Sequence, residues 1–485
     1  MMKECNFNFK NTYSSLGEVF YTHLKPVPVA KPELVIFNED LAASIDLDFL
    51  SIIDQDKAAL FSGNYLPKGA EPLSQAYAGH QFGHFSILGD GRAHLLGEHV
   101  TADAQKFDIQ LKGSGQTPYS RSGDGRAVLG PMLREYIISE AMHALGISTT
   151  RSLAVVSSGD KVIRETPLPG AVLTRVATSH IRVGTFEFAA MQQDRNLLQM
   201  LLDYTVDRHE PALNDAKNKA LGLLQKVIEL QADLVVQWMR VGFIHGVMNT
   251  DNMTLSGETI DYGPCAFMDA YDPNTVFSSI DRMGRYAFAN QPQIAQWNIA
   301  RLAEALLPLI DPDLEKSVEL AEQEINKFSN LYKAKSLNMM RAKLGLFGAK
   351  KSDEKLASDL LDWMHKNNAD YTNTFRDLAD PGKVTDQIYK KKVFVEWNKR
   401  WRTRQEQNKM PVKSALSLME KTNPAVIPRN HNVEMVLDSA HEGNLDPLHD
   451  LLRIIKKPYK RGPHLQDYHS PPNPSERVYQ TFCGT

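Results

Sequence analysis

Residues 245–263 read HGVMNTDNMTLSGETIDYG, and this stretch decides the predicted fold class. Residues 253–255 and 259–260 have strand-like composition, and the Ser-Gly-Glu sequence between them is typical of a tight turn. We therefore expect a short hairpin that brings Asn252 and Asp261 to its two ends. An amide oxygen and a carboxylate held close together are suited to bind one divalent cation.

Protein kinases place their metal ligands in this way, on a catalytic-loop Asn and on the Asp of Asp-Phe-Gly. His245 lies seven residues before Asn252, as in the kinase pattern H-R-D-x-x-x-x-N. The position of the kinase base is occupied by Val247, which cannot accept a proton. Asp251 is therefore the candidate base. An isolated Thr-Asp-Asn is more typical of a polar turn, but the Asp-Tyr-Gly that follows favours a metal site.

The upstream half contains a candidate phosphate loop. Residues 87–92 (ILGDGR) predict a strand and a Gly-x-Gly turn, and residues 93–97 predict a returning strand. Gly89 and Gly91 would let the backbone approach an anion, and Arg92 would add a cation. No Walker A pattern occurs in the sequence.

A lysine strand and a glutamate helix follow. Residues 107–112 alternate apolar and polar side chains and predict a half-buried strand that ends at Lys112. The spacing from Pro131 to Leu145, with Gly146 beyond it, predicts a helix. Glu135 and Glu140 are both candidates to pair with the lysine, and the spacing does not choose between them.

A long polar loop connects this strand and helix. Residues 113–127 (GSGQTPYSRSGDGRA) exceed an ordinary connection, which predicts anion binding by backbone amides and guanidinium groups. The loop contains Asp124 and Gly125. Farther on, Arg175 and Arg182 lie seven residues apart. Spacing alone favours a surface charge at each of these two arginines.

Five long motifs occur in one order: YAGHQFG (77–83), LGDGRAHLLGE (88–98), QLKGSGQTPYSRSGDGRA (110–127), HGVMNTDNM (245–253) and IDYGPCAFMDAYDP (260–273). Together they resemble the selenoprotein O family, whose members are protein adenylyltransferases with a kinase-like, pseudokinase fold. The resemblance continues through residues 279–292 and 423–431 and so covers most of the chain.

The resemblance implies an α+β, bilobal protein-kinase-like fold. Residues 1–183 would form an N-lobe with an antiparallel sheet and an αC-type helix. Residues 184–460 would form a mostly helical C-lobe with a C-terminal helical extension. Residues 461–485, which contain several prolines, would form an extended tail.

The resemblance also implies the chemistry. AMP would pass from ATP, bound in a flipped orientation relative to kinases, to Ser, Thr or Tyr hydroxyls of proteins, with automodification included. Asp251 would accept the hydroxyl proton, Asn252 and Asp261 would bind Mg²⁺ or Mn²⁺, and Glu135 would pair with Lys112. The nucleotide-contacting positions would be Gly89, Gly91, Arg92, Lys112, Asp124, Gly125, Arg175, Arg182 and Asp261.

Two other functions stay open, along with a different nucleotide. A conventional kinase would transfer the γ-phosphate of ATP, and a non-catalytic nucleotide-binding scaffold would account for Val247. A complete set of Lys112, Glu135, Asn252 and Asp261 argues against the scaffold. Transfer of UMP from UTP with Mn²⁺ is a further alternative.

Composition is that of a globular protein. The chain has 485 residues, of which 42% are hydrophobic and 23% charged, and 55 basic against 58 acidic side chains give a net charge of −3. No basic patch interleaved with aromatics occurs, so we expect no nucleic-acid binding. The polar start and the lack of a long apolar run predict a cytoplasmic protein with no membrane span. We also expect a monomer.

The rest of the chain is predicted to be mostly helical. Helical spacing of apolar residues predicts helices within 221–239, 296–310, 312–345, 354–366 and 434–456. The basic residues of 389–404 are more typical of a solvated helix face than of a partner-binding stripe.

Three cysteines are too few for a disulfide scaffold and suit a reducing compartment. Cys265 follows the Asp-Tyr-Gly, and Cys483 is third from the end, where some members of the resembled family carry selenocysteine. We hypothesise that these two residues form a redox-controlled disulfide that holds the tail over the active site. Two unconnected thiols are the equally weighted alternative.

Overall fold

The computed structural model describes residues 6–380, 382, 387–462 and 465–481, and it has an α+β architecture. The strands are β1 (Tyr21–His23), β2 (Glu33–Phe37), β3 (Leu73–Gln75), β4 (Ala78–Gln81), β5 (His84–Ile87), β6 (Ala93–Val100), β7 (Lys106–Lys112), β8 (Ala127–Val128), β9 (Arg151–Ile163), β10 (Pro167–Ala177), β11 (Phe243–Ile244) and β12 (Ala266–Phe267).

The α-helices outnumber the strands in the second half of the chain. They are α1 (Glu39–Ser44), α2 (Asp54–Phe61), α3 (Leu129–Ala144), α4 (Val183–Met191), α5 (Arg195–His209), α6 (Lys219–Val241), α7 (Gln291–Ile310), α8 (Leu314–Ile325), α9 (Lys327–Lys343), α10 (Ser352–Lys366), α11 (Tyr371–Leu378), α12 (Lys392–Glu406), α13 (Val412–Thr422), α14 (Asn430–His441), α15 (Asp446–Ile455) and α16 (Gln466–His469).

An antiparallel sheet forms the framework of the first half. Its strand order is β1-β3-β6-β7-β10-β9-β2, and β8 pairs with β10. On β7, Ile109 and Leu111 point into a hydrophobic core, so the alternating pleat turns Gln110 and Lys112 toward the opposite face. Arg175 of β10 lies opposite Gln110 in this register. The sheet therefore places a lysine and an arginine side by side on one face.

Helix α3 packs against that sheet and confirms the helix predicted over 131–145. Leu133, Ile137 and Ala141 are fully buried, as expected of one face at helical spacing. Gly146 follows the helix end with φ +75°, a left-handed conformation that glycine adopts without steric cost. The lysine strand predicted over 107–112 is likewise present as β7.

The hairpin predicted between residues 253–255 and 259–260 is wrong. Thr254 bridges to Arg182, and Thr259 bridges to Thr149, so each segment pairs with a different part of the chain. These backbone groups are buried and need partners, and those partners come from the segments that flank α3 and α4. The turn itself is held by a hydrogen bond from Thr254 Oγ1 to the carbonyl of Glu258 at 2.7 Å.

The hairpin predicted across the Gly-x-Gly turn is also wrong. Strand β5 ends at Ile87 and pairs with β4 in a separate two-stranded sheet, whereas β6 pairs with β3 and β7. Residues 88–92 therefore connect two different sheets. Local sequence marks the turn but does not determine which strands pair across it.

The helices predicted in the second half are present. Helix α6 begins after Asn218, whose side chain accepts a hydrogen bond from Leu221 N, and it ends at Gly242. Helix α12 buries Phe394, Trp397 and Trp401 and exposes its lysines, which agrees with a solvated basic face. The exception is Arg404, which is buried and pairs with Asp353. The predicted tail contains the short α16. No helix in the described part of the chain is long and apolar enough to cross a membrane.

Candidate active site

The site is a cavity of about 500 Å³ at the face of the sheet that carries Lys112. This volume is within the range of ligand pockets, which is roughly 300–1,000 Å³. The lining comes from the two glycine-rich segments around residues 88–92 and 119–126, from Arg175 and Arg182, and from the segment 247–264. Parts of the chain that are far apart in sequence are therefore brought together.

Lys112 and Asp261 line this cavity, and the buried Glu135 contacts the lysine. Lys112 Nζ donates to Glu135 Oε2 at 2.6 Å and to Asp261 Oδ1 at 2.9 Å. The structure also distinguishes the two glutamates left open by the sequence, because Glu140 instead receives both Nε and Nη2 of Arg151 at 2.6 and 2.7 Å. Glu135 is thus the lysine partner.

Arg175 and Arg182 complete the cationic floor. Both side chains are almost fully buried, so the interpretation of each as a surface charge is wrong. Arg175 donates to Asp261, Glu135 and Gln110. Arg182 Nη2 lies 3.7 Å from Asp261 Oδ2. The spacing of two arginines along the sequence contains no information on their burial, so it could not distinguish a buried arginine from a surface one.

Asp261 is surrounded by positive charge. Burial alone would raise the pKa of its carboxyl, but Lys112, Arg175 and Arg182 hold that pKa well below its usual range. Its backbone has φ +60°, an uncommon conformation for a non-glycine residue. Strained backbone of this kind occurs at functional sites more than elsewhere.

Asp251 lies in a single 3₁₀ turn, Thr250–Asn252, at the side of the cavity. Only 8% of the residue is exposed, and burial raises the pKa of its carboxyl to about 6. Oδ1 has no hydrogen-bond partner in the described part of the chain. A buried, ionisable carboxylate that lines a cavity has the properties required of a proton acceptor.

Asn252 and Asp261 both line the cavity and supply an amide oxygen and a carboxylate. Asn252 Nδ2 donates to the carbonyl of Val247 at 2.9 Å, which leaves its Oδ1 available. No group of three or more His, Cys, Asp or Glu side chains with metal-binding geometry occurs among the residues that the structure describes. Two oxygen donors still fit a nucleotide-borne Mg²⁺, which usually takes one or two carboxylates and completes its shell with phosphates and water.

The Gly-x-Gly turn is covered by the polar loop rather than by its own hairpin. A Cβ at Gly89 would lie 2.3 Å from the ring of Tyr119, and one at Gly91 would lie 2.8 Å from the carbonyl of Tyr119. Thr117 Oγ1 donates to the carbonyl of Asp90 at 2.8 Å. Arg92 lines the cavity beside this contact. Glycine is therefore required for close packing of two loops.

Asp124 and Gly125 lie at the outer edge of the cavity. Asp124 is partly exposed and pairs with Arg164, whose Nη1 lies 2.9 Å from Oδ2. Gly125 has φ +67° and packs directly against the backbone of Gly115. Arg164 also lines the cavity, and sequence reasoning missed it because no motif surrounds it.

His245 is structural in this arrangement. It is buried, and its Nε2 lies 2.9 Å from the carbonyl oxygen of Ile260, directly before Asp261. The side chain thus fixes the spacing between the two chain segments of the site. Val247, at the kinase base position, lines the cavity without a titratable group.

The two cysteines of the redox hypothesis differ in what the structure shows. Cys265 is fully buried. Cys483 lies outside the described residues, so the pairing stays a prediction. Thr481, near the end of the described tail, is buried and donates through Oγ1 to the carbonyl of Pro264 at 2.6 Å.

Comparison with known proteins adds to this geometry. The model of the family described as "Protein adenylyltransferase SelO" matches residues 3–456. The chain is 57% identical to the protein nucleotidyltransferase YdiU of Nitrosococcus oceani over 484 residues, which cover 100% of this chain and 98% of that relative. It is also 57% identical to the protein of that name from Syntrophotalea carbinolica and 56% identical to that from Alcanivorax borkumensis, with 99% of this chain covered in both comparisons and 98% and 99% of the respective relatives.

Proposed function

The chain belongs to the protein adenylyltransferase SelO family and is a nucleotidyltransferase, and from that premise we propose that it transfers AMP from ATP to Ser, Thr or Tyr hydroxyls of proteins. The acceptor hydroxyl would attack the α-phosphorus, and pyrophosphate would leave. Automodification is one form of this reaction.

One observation carries the proposal more than any other. Lys112, Arg175 and Arg182 meet around the single carboxylate Asp261 on the floor of the cavity. Glu135 and Asp90 also pair with these cations, but all three cations line the cavity, where the phosphates of an anionic ligand can contact them. A triphosphate is such a ligand, and its departing pyrophosphate needs this kind of stabilisation during transfer.

Different residues of the site would have different roles in AMP transfer. The deep cations would hold the γ-phosphate end, in keeping with a flipped nucleotide, and the glycine loops would hold the rest of ATP near the cavity mouth. Asp251 would accept the proton of the acceptor hydroxyl, because its pKa of about 6 leaves it ionised at neutral pH. Asn252 and Asp261 would hold Mg²⁺ or Mn²⁺, and a bound cation would neutralise phosphate charge.

The finer architecture also belongs to this proposal. We assign residues 1–183 to an N-lobe, 184–460 to a helical C-lobe and 461–485 to a tail, in a bilobal kinase-like arrangement. The antiparallel sheet and α3 support the first assignment, and the run of helices from α4 onward supports the second. We further propose a monomer that acts in the cytoplasm.

The decisive experiment measures which phosphate of ATP becomes attached to protein. Purified protein is incubated with ATP labelled at either the α- or the γ-phosphate, in parallel for wild type, Asp261→Asn and the exposed control Asp233→Asn. Protein-bound label from the α position in wild type and control, and none in Asp261→Asn, is the expected result. Label from the γ position would make the enzyme a kinase, and no label with intact ATP binding would favour a scaffold. Repetition with labelled UTP and Mn²⁺ distinguishes AMP from UMP transfer.

A further inference from the structure

The motif YAGHQFG, residues 77–83, has no role in the chemistry described so far. It contains β4, which belongs to the small β4–β5 sheet and not to the main sheet. Tyr77, Gln81 and Phe82 line the cavity, whereas His80 turns the other way and contacts Glu187 on α4. Alternate residues of this segment, Tyr77, Gly79 and Gln81, thus face the site.

The backbone of this strand is fixed to the turn that carries Asp251. His80 N donates to Thr250 Oγ1 at 2.7 Å, and Phe82 N donates to Asn249 Oδ1 at 3.1 Å. These two side chains take the place of a neighbouring strand along the outer edge of β4. The strand and the turn therefore form one connected unit.

Gly79 lies directly against the carboxylate of Asp251. A Cβ at Gly79 would be 2.5 Å from Asp251 Oδ1 and 3.0 Å from its Cβ. The backbone of Gly79 does not have a positive φ, so the absence of a side chain matters here for space alone. Any larger residue would displace the carboxylate from its place beside the cavity.

Gln81, at the next inward position, lines the cavity together with this carboxylate. Its side-chain amide favours the ionised form and lowers the pKa of the Asp251 carboxyl, against the larger effect of burial. The Oδ1 atom of Asp251 still has no bonding partner within the described ranges. That buried oxygen is the one that lies against Gly79, so Gly79 and Gln81 together would orient the group.

Tyr77, at the start of the same segment, contacts a different side chain of the site. The guanidinium of Arg182 lies 4.4 Å from the centre of its ring, a cation–π contact. Arg182 Nε is buried without a hydrogen-bond partner in the part of the chain that is described. The carboxylate contacts of this guanidinium, to Asp90 and Asp261, are 3.9 and 3.7 Å long, so the ring contributes to holding it in place.

We propose that β4 and the tyrosine directly before it form a positioning element with two separable effects: Gly79 and Gln81 place the proton acceptor Asp251, and Tyr77 places the nucleotide-binding Arg182. This inference rests on the proposed function, because it takes Asp251 as the acceptor and Arg182 as a phosphate ligand. The proposal gives none of the three residues a chemical step of its own, so each would act through its neighbour.

The test separates nucleotide affinity from the transfer step. ATP affinity is measured by isothermal titration, and AMP transfer is measured in a single turnover at saturating ATP. For Gly79→Ala we expect a rate about 100-fold lower, because displacement by about 1 Å costs that much, with ATP affinity within about twofold of wild type. Gln81→Ala should lower the rate about tenfold, at the low end of what one hydrogen bond to a charged group contributes.

Tyr77 variants should show the converse, a change in ATP affinity rather than in the single-turnover rate. Tyr77→Leu should weaken ATP binding about fivefold, as expected for loss of a cation–π contact of about 1 kcal/mol. Tyr77→Phe should restore the affinity because the ring remains. Ser86→Ala is the matched control, since Ser86 pairs with Gly79 across the hairpin and does not line the cavity.

Each result decides between the alternatives. Transfer by Gly79→Ala at the wild-type rate would overturn the inference and leave AMP transfer standing. Equal losses of affinity and rate in every variant, with lowered melting temperatures, would reduce β4 to a purely structural role and would also overturn it. If wild type instead transferred the γ-phosphate, the proposed function would fail, yet the split between Gly79 and Tyr77 would still test the positioning.

Discussion

Lys112 Nζ lies 2.9 Å from Asp261 Oδ1 and 2.6 Å from Glu135 Oε2, so one buried lysine joins two carboxylates. Arg175 contacts the same two carboxylates from the neighbouring strand. The site thus contains a closed network of alternating charges, in which Asp261 is the member nearest the cavity. Ligand binding must redistribute these contacts, because phosphate and metal compete for them.

Replacement of Asp261 should separate nucleotide binding from transfer. Asp261→Asn removes the charge that neutralises the floor, so we expect tighter binding of ATP without divalent cation and loss of AMP transfer. The gain in affinity should be about threefold to tenfold, the size of a coupling worth about 1 kcal/mol. Titration of ATP in the presence of a chelator measures the first effect. Unchanged or weaker metal-free binding would contradict the competition between Asp261 and phosphate.

Two glutamates on α3 provide a matched comparison. Glu135→Gln leaves Lys112 without its nearest carboxylate and should weaken ATP binding at least fivefold, because the lysine is no longer held in place. Glu140→Gln breaks the pair with Arg151 and should lower the melting temperature while ATP affinity stays within about twofold. Calorimetry and ATP titration of both variants check this. Equal effects on ATP affinity would mean that the lysine pairing has no functional consequence.

Asp251 should be required for the chemical step and not for nucleotide binding. Asp251→Asn keeps the shape of the side chain but cannot accept a proton, so we expect roughly a 10²- to 10⁴-fold lower single-turnover rate with ATP affinity within about threefold. A loss of less than about threefold would mean that Asp251 only positions its neighbours. Asp272→Asn, a partly exposed surface substitution in the same half of the chain, serves as the control.

Glu258 should make stability depend on pH. Its carboxylate accepts hydrogen bonds from Thr178 and Ser256, and burial raises its pKa to about 7. The folded state therefore retains the proton longer than the unfolded state. The free energy of unfolding is highest below the unfolded pKa of about 4.5 and falls as the pH rises through about 7.

The variant Glu258→Gln remains neutral and should lose that dependence. Relative to wild type, we expect it to gain roughly 1 kcal/mol between pH 5.5 and pH 8, a value reduced because part of the residue is exposed. Denaturant titrations at the two pH values measure the difference, with the exposed Glu229→Gln as the control. A difference that is constant with pH would show that Glu258 is ionised in both states.

Sequence periodicity predicted the elements of the site better than their pairing. The lysine strand and α3 were recognised because alternation and helical spacing are local properties. Glu135 could not be separated from Glu140, since both lie on buried turns of one helix and differ only in a partner, Arg151, that the fold supplies. Both predicted hairpins were wrong for the same reason. Tertiary contacts, not local sequence, determine which segment hydrogen-bonds to the buried backbone groups of a strand.

Local sequence likewise could not predict that Arg175 and Arg182 are buried. Their spacing is that of ordinary surface charges, and only the register of β10 against β7 turns Arg175 toward Gln110. The resemblance to a known family named both residues, and the structure then supplied the reason for their position. Arg164 lies in no motif, and Gly79 lies in the motif YAGHQFG without an assigned role, so their contacts became visible only in three dimensions.

The tail should respond to oxidation if Cys265 and Cys483 pair. Thr481 Oγ1 contacts the carbonyl of Pro264 at 2.6 Å, so the chain near one cysteine meets the chain near the other. We propose that mild oxidation links the two residues and slows transfer by restraining the tail beside the cavity. Non-reducing peptide mapping should find the linked peptides in oxidised wild type and neither in Cys265→Ser nor in Cys483→Ser. Free thiols at both positions after oxidation would remove the proposal, and oxidation that slows the Cys483→Ser variant equally would place the redox effect elsewhere.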